Sequence, residues 1–381
     1  MDERVREHAE VLVDWSARVE AGDDVVVSVA EDAHELGVAV AAALGERGAN
    51  VTTLYGSSEL SRAYLKGVEA GTDGDVDADD FDADPAVDRA VFEAADAYLR
   101  IGGGRNTTAS ADVDRPTRQA YAKARQGVRE ARMDTDWVST VHPTRSLAQQ
   151  AGMAYEEYQE FVYDAVLRDW ESLADEMARM KDVLDAGEAV RIVTERDGAP
   201  DTDVTMSIDG RTAVNSAASV AYDSHNLPSG EVFTAPYDTA GEVFFDVPMT
   251  IDATRVRNVH LAFEEGEVVD FSAEAGEDAL AEILDTDDGA RQLGELGIGM
   301  NRGIDRFTDS ILFDEKMGDT VHLAVGRAYD ACLPEGESGN DSAVHVDMIT
   351  DVSADSRLEV DGELVQRNGT FRWEDGFEAE D

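Results

Sequence analysis

The apolar positions of the first 55 residues change period three times. Val5, Ala9, Val11, Leu12 and Trp15 recur at helical spacing with charges between them, which predicts an amphipathic helix over 4–17. Residues 25–29 form a largely β-branched run and predict a strand; 33–47 return to helical spacing, and Gly48-Ala49-Asn50 turns the chain into a second strand at 51–55. Strand, helix and strand in about 30 residues make a βαβ unit, so a parallel sheet with a right-handed crossover is expected.

An acidic, low-complexity stretch over 71–85 reads as a solvated loop; its Asp spacing lacks the Gly and terminal Glu of a calcium loop. A helix near 87–95 and a strand at 97–101 add a further unit, closed by a tight turn at Gly102 to Arg105 that does not complete a dinucleotide fingerprint. Residues 115–131 and 155–184 read as helical, with a Pro-marked turn at Val141-His142-Pro143-Thr144 between them. From residue 188 the texture changes. Short β-branched runs at 190–194, 204–208, 242–247, 256–263 and 267–272 alternate with Gly and Asp turns, the pattern of a mixed or antiparallel sheet. The fold class expected is an α/β domain with a parallel sheet over 1–185, followed by an α+β domain with a mixed, largely antiparallel sheet over 186–381. At 381 residues, two cores are also the better prior than one.

Composition changes the picture in one respect. Eighty-three Asp and Glu stand against 32 Lys and Arg, a formal net charge of −51, and the acidity is spread along the whole length. Such a chain repels nucleic acid and anionic membranes, and molar salt, with a screening length of roughly 3 Å, relieves its self-repulsion. The expectation is a halophilic, soluble, cytoplasmic protein. No run of 18 apolar residues occurs, and MDERVREHAEVL is not patterned as a signal peptide. The single cysteine, Cys332, excludes an internal disulfide or thiolate cluster within one chain.

Several sites are excluded by their spacing. His34-Glu35 begins an H-E-x-x-H pattern, but residue 38 is Val, and there is neither a G-x-S-x-G elbow nor a P-loop. His8, His142, His225 and His260 are scattered singly among polar or turn residues. The C-terminal part differs. His345 and Asp347 are one residue apart in AVHVDMI, so on a strand they share a face. His322 opens HLAVG on another strand, Tyr329 follows beyond Gly326, and Glu231 and Glu295 each follow a glycine. Imidazole and carboxylate without thiolate favour Zn²⁺, Co²⁺ or Mn²⁺. One catalytic zinc keeps about three protein ligands, so five or six candidates fit two ions better.

At these residues the sequence resembles the thermophilic-type metallo-aminopeptidases, the aminopeptidase T and aminopeptidase S family. The resemblance rests on GEVFTAP at 230–236, LGELGIG at 293–299, DEKMGDTVHLAVGRAY at 314–329 and NDSAVHVDM at 340–348, and more loosely on HPTRSLAQQAGM at 142–153. It implies a dinuclear site with ligands at Glu231, Glu295, His322, Tyr329, His345 and Asp347, with Glu295 as the bridging carboxylate. It also implies removal of N-terminal residues from peptides, with broad side-chain tolerance, by a homodimer. Glu315 is the carboxylate of the motif left over as general base, with a further ligand or a partner of Lys316 as its alternatives. The rival readings are a dipeptidase or carboxypeptidase built on the same site, and a non-catalytic metal-binding protein.

Overall fold

The computed structural model describes residues 1–379 apart from 73, 83–84 and 252–253. The acidic stretch at 71–85 therefore lies partly outside the described residues. The chain divides into two compact units, Met1–Leu167 with Ala218–Pro228, and Arg168–Ala217 with Ser229–Asp381. The boundary suggested near residue 185 falls at the end of the helix Trp170–Ala186, which belongs to the second unit.

The first unit is built on a five-stranded, wholly parallel sheet. Its order is Asn50–Gly56, Asp24–Ala30, Ala97–Gly102, Asp136–Val141 and Asn226–Leu227. The β-branched run at Val25, Val26, Val27 and Val29 is buried, as a strand covered on both faces requires. The opening helix is α-helical over Glu3–Glu10, capped by the Asp2 carboxylate on the Arg4 amide, and continues as wider π-type turns over Val11–Ser16. The helical stretch predicted at 115–131 breaks at Arg125 into Arg115–Ala124 and Gln126–Met133. That predicted at 155–184 breaks into Tyr155–Val166 and Trp170–Ala186, the second capped by Asp169 on the Ser172 amide.

The second unit carries two sheets. A nine-stranded sheet runs Met249–Ile251, Thr254–Glu264, Tyr237–Phe245, Thr202–Ser207, Ala189–Thr194, Ser356–Val360, Glu363–Arg367 and Thr370–Phe371, with Glu267–Ala275 also pairing Thr254–Glu264. A five-stranded sheet runs His345–Asp351, Thr320–Gly326, Leu293–Gly299, Glu231–Thr234 and Val214–Ser216. The strand pairings in both are antiparallel, and one isolated parallel bridge joins Asn301 to Met317. The α/β unit with a parallel sheet and the α+β unit with a largely antiparallel one are thus the architecture of the chain. Among the described residues, no helix is long and apolar enough to cross a membrane.

In the five-stranded sheet one face is apolar. Val232, Leu296, Ile298, Val321, Leu323 and Met348 are all essentially fully buried on it. Each such side chain contributes on the order of 1.5–3 kcal/mol of burial, which fixes the register. A slip by one residue would turn this face outward, so the opposite face is specified as firmly as the core.

Candidate metal centre

That opposite face holds the polar residues the motifs supply. The register sets Glu231 opposite Gly299, His322 opposite Gly297, Ala324 opposite both Glu295 and Asp347, and His345 opposite Gly326. Directly paired residues share a face and side chains alternate with period two. Four neighbouring strands therefore project Glu231, Glu295, His322, His345 and Asp347 to one side, each with a Gly or Ala across from it. The small partners are a steric requirement. A Cβ on Gly297 would lie 2.0 Å from His322 Nε2, and one on Gly299 would lie 2.0 Å from the Met317 carbonyl oxygen.

Two sets of three donors result, Glu231–Glu295–His322 and Glu295–His345–Asp347, each with its donor atoms mutually within 4.8 Å. Glu295 belongs to both. Its Oε1 is 3.0 Å from His322 Nε2 and its Oε2 is 3.3 Å from His345 Nε2. Glu231 Oε2 lies 3.5 Å from His322 Nε2, and Asp347 Oδ1 lies 3.5 Å from His345 Nε2. His345 Nδ1 donates to the Arg327 carbonyl at 2.8 Å; a carbonyl can only accept, so Nδ1 carries a proton, and Nε2 is turned to the carboxylates. Among the described residues, the buried Glu231 Oε2 has no hydrogen-bond partner. A buried carboxyl oxygen without a hydrogen bond, in a cluster of two imidazoles and three carboxyl groups, fits a hard-to-borderline divalent cation.

Protonation in the cluster follows from crowding. Burial opposes charge on His345, but its pairing with Asp347 and Glu295 prevails and pushes the imidazole up to about 10. His322 is raised too: burial works against its charge, and the bond to Glu295 with the nearby Glu231 outweighs it. Burial pushes the Glu231 carboxyl up, against the pull of Lys316 and His322. For Asp347, burial alone would raise the carboxyl; His345, His322 and Lys316 together hold it below its usual value. The carboxylates thus favour protonated imidazoles, and metal binding would compete with those protons.

Tyr329 sits at the His345 end, its ring edge-on to the imidazole at 4.9 Å and to Phe233 at 5.7 Å. Burial, with Glu295 and Asp347 nearby, raises its phenol above the ordinary range. Glu315 follows the short helix Ile311–Asp314 and ion-pairs with Lys316. Lys316 is fully buried, and its Nζ lies 3.5 Å from Glu231 Oε1. Glu315 therefore stands beside the donor cluster, one side chain removed from Glu231. The reading from sequence underrated Lys316. The available signal was rarity: the chain has only four lysines, Lys66, Lys123, Lys181 and Lys316, and one stands inside the densest motif.

Two N/O donor sets sharing a carboxylate on a buried sheet face make up a candidate metal centre. The chain belongs to the thermophilic metalloprotease (M29) family, whose model matches residues 1–371. It is 27% identical over 405 residues to aminopeptidase T of Thermus thermophilus, covering 93% of each chain. It is 34% identical over 232 residues to aminopeptidase 2 of Geobacillus stearothermophilus, a match spanning 54% of each, about half that relative's length. The solved structure of wild-type AmpT from Thermus thermophilus superposes with a TM-score of 0.80 at 25% identity, covering 97% of this chain and 99% of that one.

Proposed function

We propose that this chain is a metallo-aminopeptidase that hydrolyses the first peptide bond of its substrates with two divalent ions, held by Glu231, Glu295, His322, Tyr329, His345 and Asp347. The observation that carries the reading is the double engagement of Glu295, one oxygen on each histidine. A carboxylate so placed can bridge two cations, and the donor set suits Zn²⁺, Co²⁺ or Mn²⁺. Bound ions would polarise the scissile carbonyl and make water nucleophilic near neutral pH.

The remaining chemistry belongs to the chain itself. Glu315 takes a proton from the attacking water and delivers it to the nitrogen of the leaving amine as the C–N bond breaks. Lys316 holds one oxygen of Glu231 and leaves the other for a cation. The aminopeptidase names of the relatives support peptides with a free N-terminus as substrates. The spread of acidic residues supports a cytoplasm of high salt, and the family resemblance supports a homodimer.

The test is hydrolysis of leucine 4-nitroanilide in molar KCl, before and after chelation, with Zn²⁺, Co²⁺ and Mn²⁺ restored separately. Chelator-sensitive activity restored by metal, with N-acetyl-leucine amide resistant, is the expected result. Cleavage of N-acetyl-Leu-Leu, which keeps a free carboxylate, would favour the carboxypeptidase reading, and cleavage of Leu-Leu but not of leucine 4-nitroanilide the dipeptidase reading. Metal binding without hydrolysis at any salt concentration would leave a metal-binding protein only.

A further inference from the structure

A cavity of about 520 Å³ opens against the His345–Asp347 end of the cluster. Its volume is within the range of small-ligand sites, roughly 300–1,000 Å³. Apart from His345 and Asp347, its walls are chiefly apolar, with Met249 and Ile251 from one strand and Ile283, Phe307, Ile311 and Ile349 from four other parts of the chain. Ile349 is two residues beyond Asp347 on the same strand and so continues the face that carries the cluster. Ile311 is 53% exposed, a large aliphatic side chain with no core to account for it.

The carboxylates in the lining are already engaged. Asp309 lies 2.7 Å from Arg255 Nη1 and accepts from Thr250 Oγ1. Asp314 accepts from the Thr308 amide and hydroxyl and from the Ser310 amide. The cavity thus offers an incoming group apolar surface rather than a free charge.

The cluster also has a direction. The fully buried Lys316 side chain fills the space beside Glu231, whereas the cavity opens at the Asp347 end, so a substrate's N-terminal residue reaches the cluster from there. We infer that this cavity receives the side chain of the substrate's N-terminal residue and selects large aliphatic and aromatic ones. The assignment rests on the aminopeptidase reading and adds a substrate class to it.

The test uses the full-length, metal-reconstituted enzyme in molar KCl with chromogenic amides of Leu, Met, Phe, Ala, Glu and Lys. A methylene in an apolar pocket is worth roughly 10- to 200-fold, so kcat/KM for Leu, Met and Phe should exceed that for Ala by at least about tenfold. Ile311→Glu alters an exposed position and Ile283→Asp a half-buried one on another element. Each should lower Leu and Phe turnover by about tenfold while leaving Ala within about twofold. Leu-Gly should be cleaved faster than Gly-Leu.

Equal kcat/KM across the panel, a best substrate in Lys, an equal fall for Ala in both variants, or preference for Gly-Leu would each overturn the pocket assignment while leaving an aminopeptidase. If no amide is hydrolysed by the wild type, the aminopeptidase reading itself fails.

Discussion

Replacing Gly297 by Ala adds one methyl group and should disable the metal centre. The new Cβ would stand 2.0 Å from both Nε2 and Cε1 of His322. Ordinary carbon contacts lie at about 3.5–4.0 Å, so the imidazole must retreat by about 1.5 Å or more. It has little room, being fully buried with Ile349 across from it on the other neighbouring strand. Overpacking of this kind costs roughly 1–3 kcal/mol of stability. The retreat also carries Nε2 away from Glu295, now 3.0 Å distant, and removes a donor from its set. Metal affinity should fall by at least about 100-fold, the upper end of what loss of a mere supporting contact costs. Calorimetric titration of the metal-free protein with Zn²⁺, beside urea unfolding in molar KCl, reads both effects. Gly45→Ala is the control: Gly45 lies within the helix His34–Arg47 with nothing within 4 Å of an added Cβ. There alanine should stabilise by about 0.5–1 kcal/mol. A Gly297→Ala protein with wild-type zinc affinity and an unchanged unfolding midpoint would refute the claim that this glycine makes room for His322.

Glu315→Gln should keep its bound metal while kcat drops by roughly 100-fold or more, because a general base is lost and no donor is; unchanged turnover removes Glu315 from the mechanism. Lys316→Met should destabilise the metal-free protein by roughly 3–5 kcal/mol, since it strands a buried carboxylate, and added Zn²⁺ should recover part of that loss; an equal loss with and without metal contradicts the pairing with Glu231. Acid should weaken the fold through His8, whose imidazole is fully buried against the Thr140 hydroxyl and pushed by burial down to about 3. The folded value lies below the unfolded one of about 6.5, so this contribution is intact above that pH and is lost as pH falls toward 3, at up to about 1.4 kcal/mol per unit. His8→Leu should flatten the slope of unfolding free energy between pH 6 and 4, and an identical slope discounts His8. Raising KCl from 0.1 to 2 M should raise the melting temperature, because a net charge of −51 is then screened over roughly 3 Å; a constant or falling melting temperature argues against adaptation to salt.

Three strands of the parallel sheet were legible, Asp24–Ala30 as a continuous β-branched run and Asn50–Gly56 and Ala97–Gly102 as short apolar runs after helices, while Asp136–Val141, expected only as the approach to a Pro-marked turn, was missed. Where the sequence misled, the cause was a break with a weak local marker. Arg125 leaves the helical region between two helices with Gly127 two residues on, a glycine that a continuous helix could also have tolerated at a cost of about 1 kcal/mol. Phe81, within the acidic stretch taken for a solvated loop, is buried with Leu65, Val113, Ala120 and Ala124. A composition window averages one aromatic anchor into its charged neighbours. The return of Ala218–Pro228 to the first unit, where Asn226–Leu227 adds the fifth strand, was also invisible. Two residues carry no period, and pairing across almost 90 positions is a long-range fact.

The donor cluster was legible for a different reason: each donor lies in a block whose small residues have a spatial purpose. In LGELGIG the sequence shows three glycines around one Glu. The sheet shows that Gly297 and Gly299 share the face of Glu295 and yield their side-chain volume to His322 and to the close approach of Met317. What sequence could not supply was the charge balance. Three carboxylates face a single lysine ammonium, so with neutral imidazoles the buried cluster is two positive charges short. In the metal-free protein the surrounding carboxylates favour the protonated imidazoles, and both His322 and His345 are raised. A divalent cation would take the place of protons on these imidazoles, and a second cation calls for further negative charge. Glu315 stands one side chain away, paired with Lys316. Holding two ions therefore depends on the carboxylates around Lys316 as much as on the residues that would touch the metal.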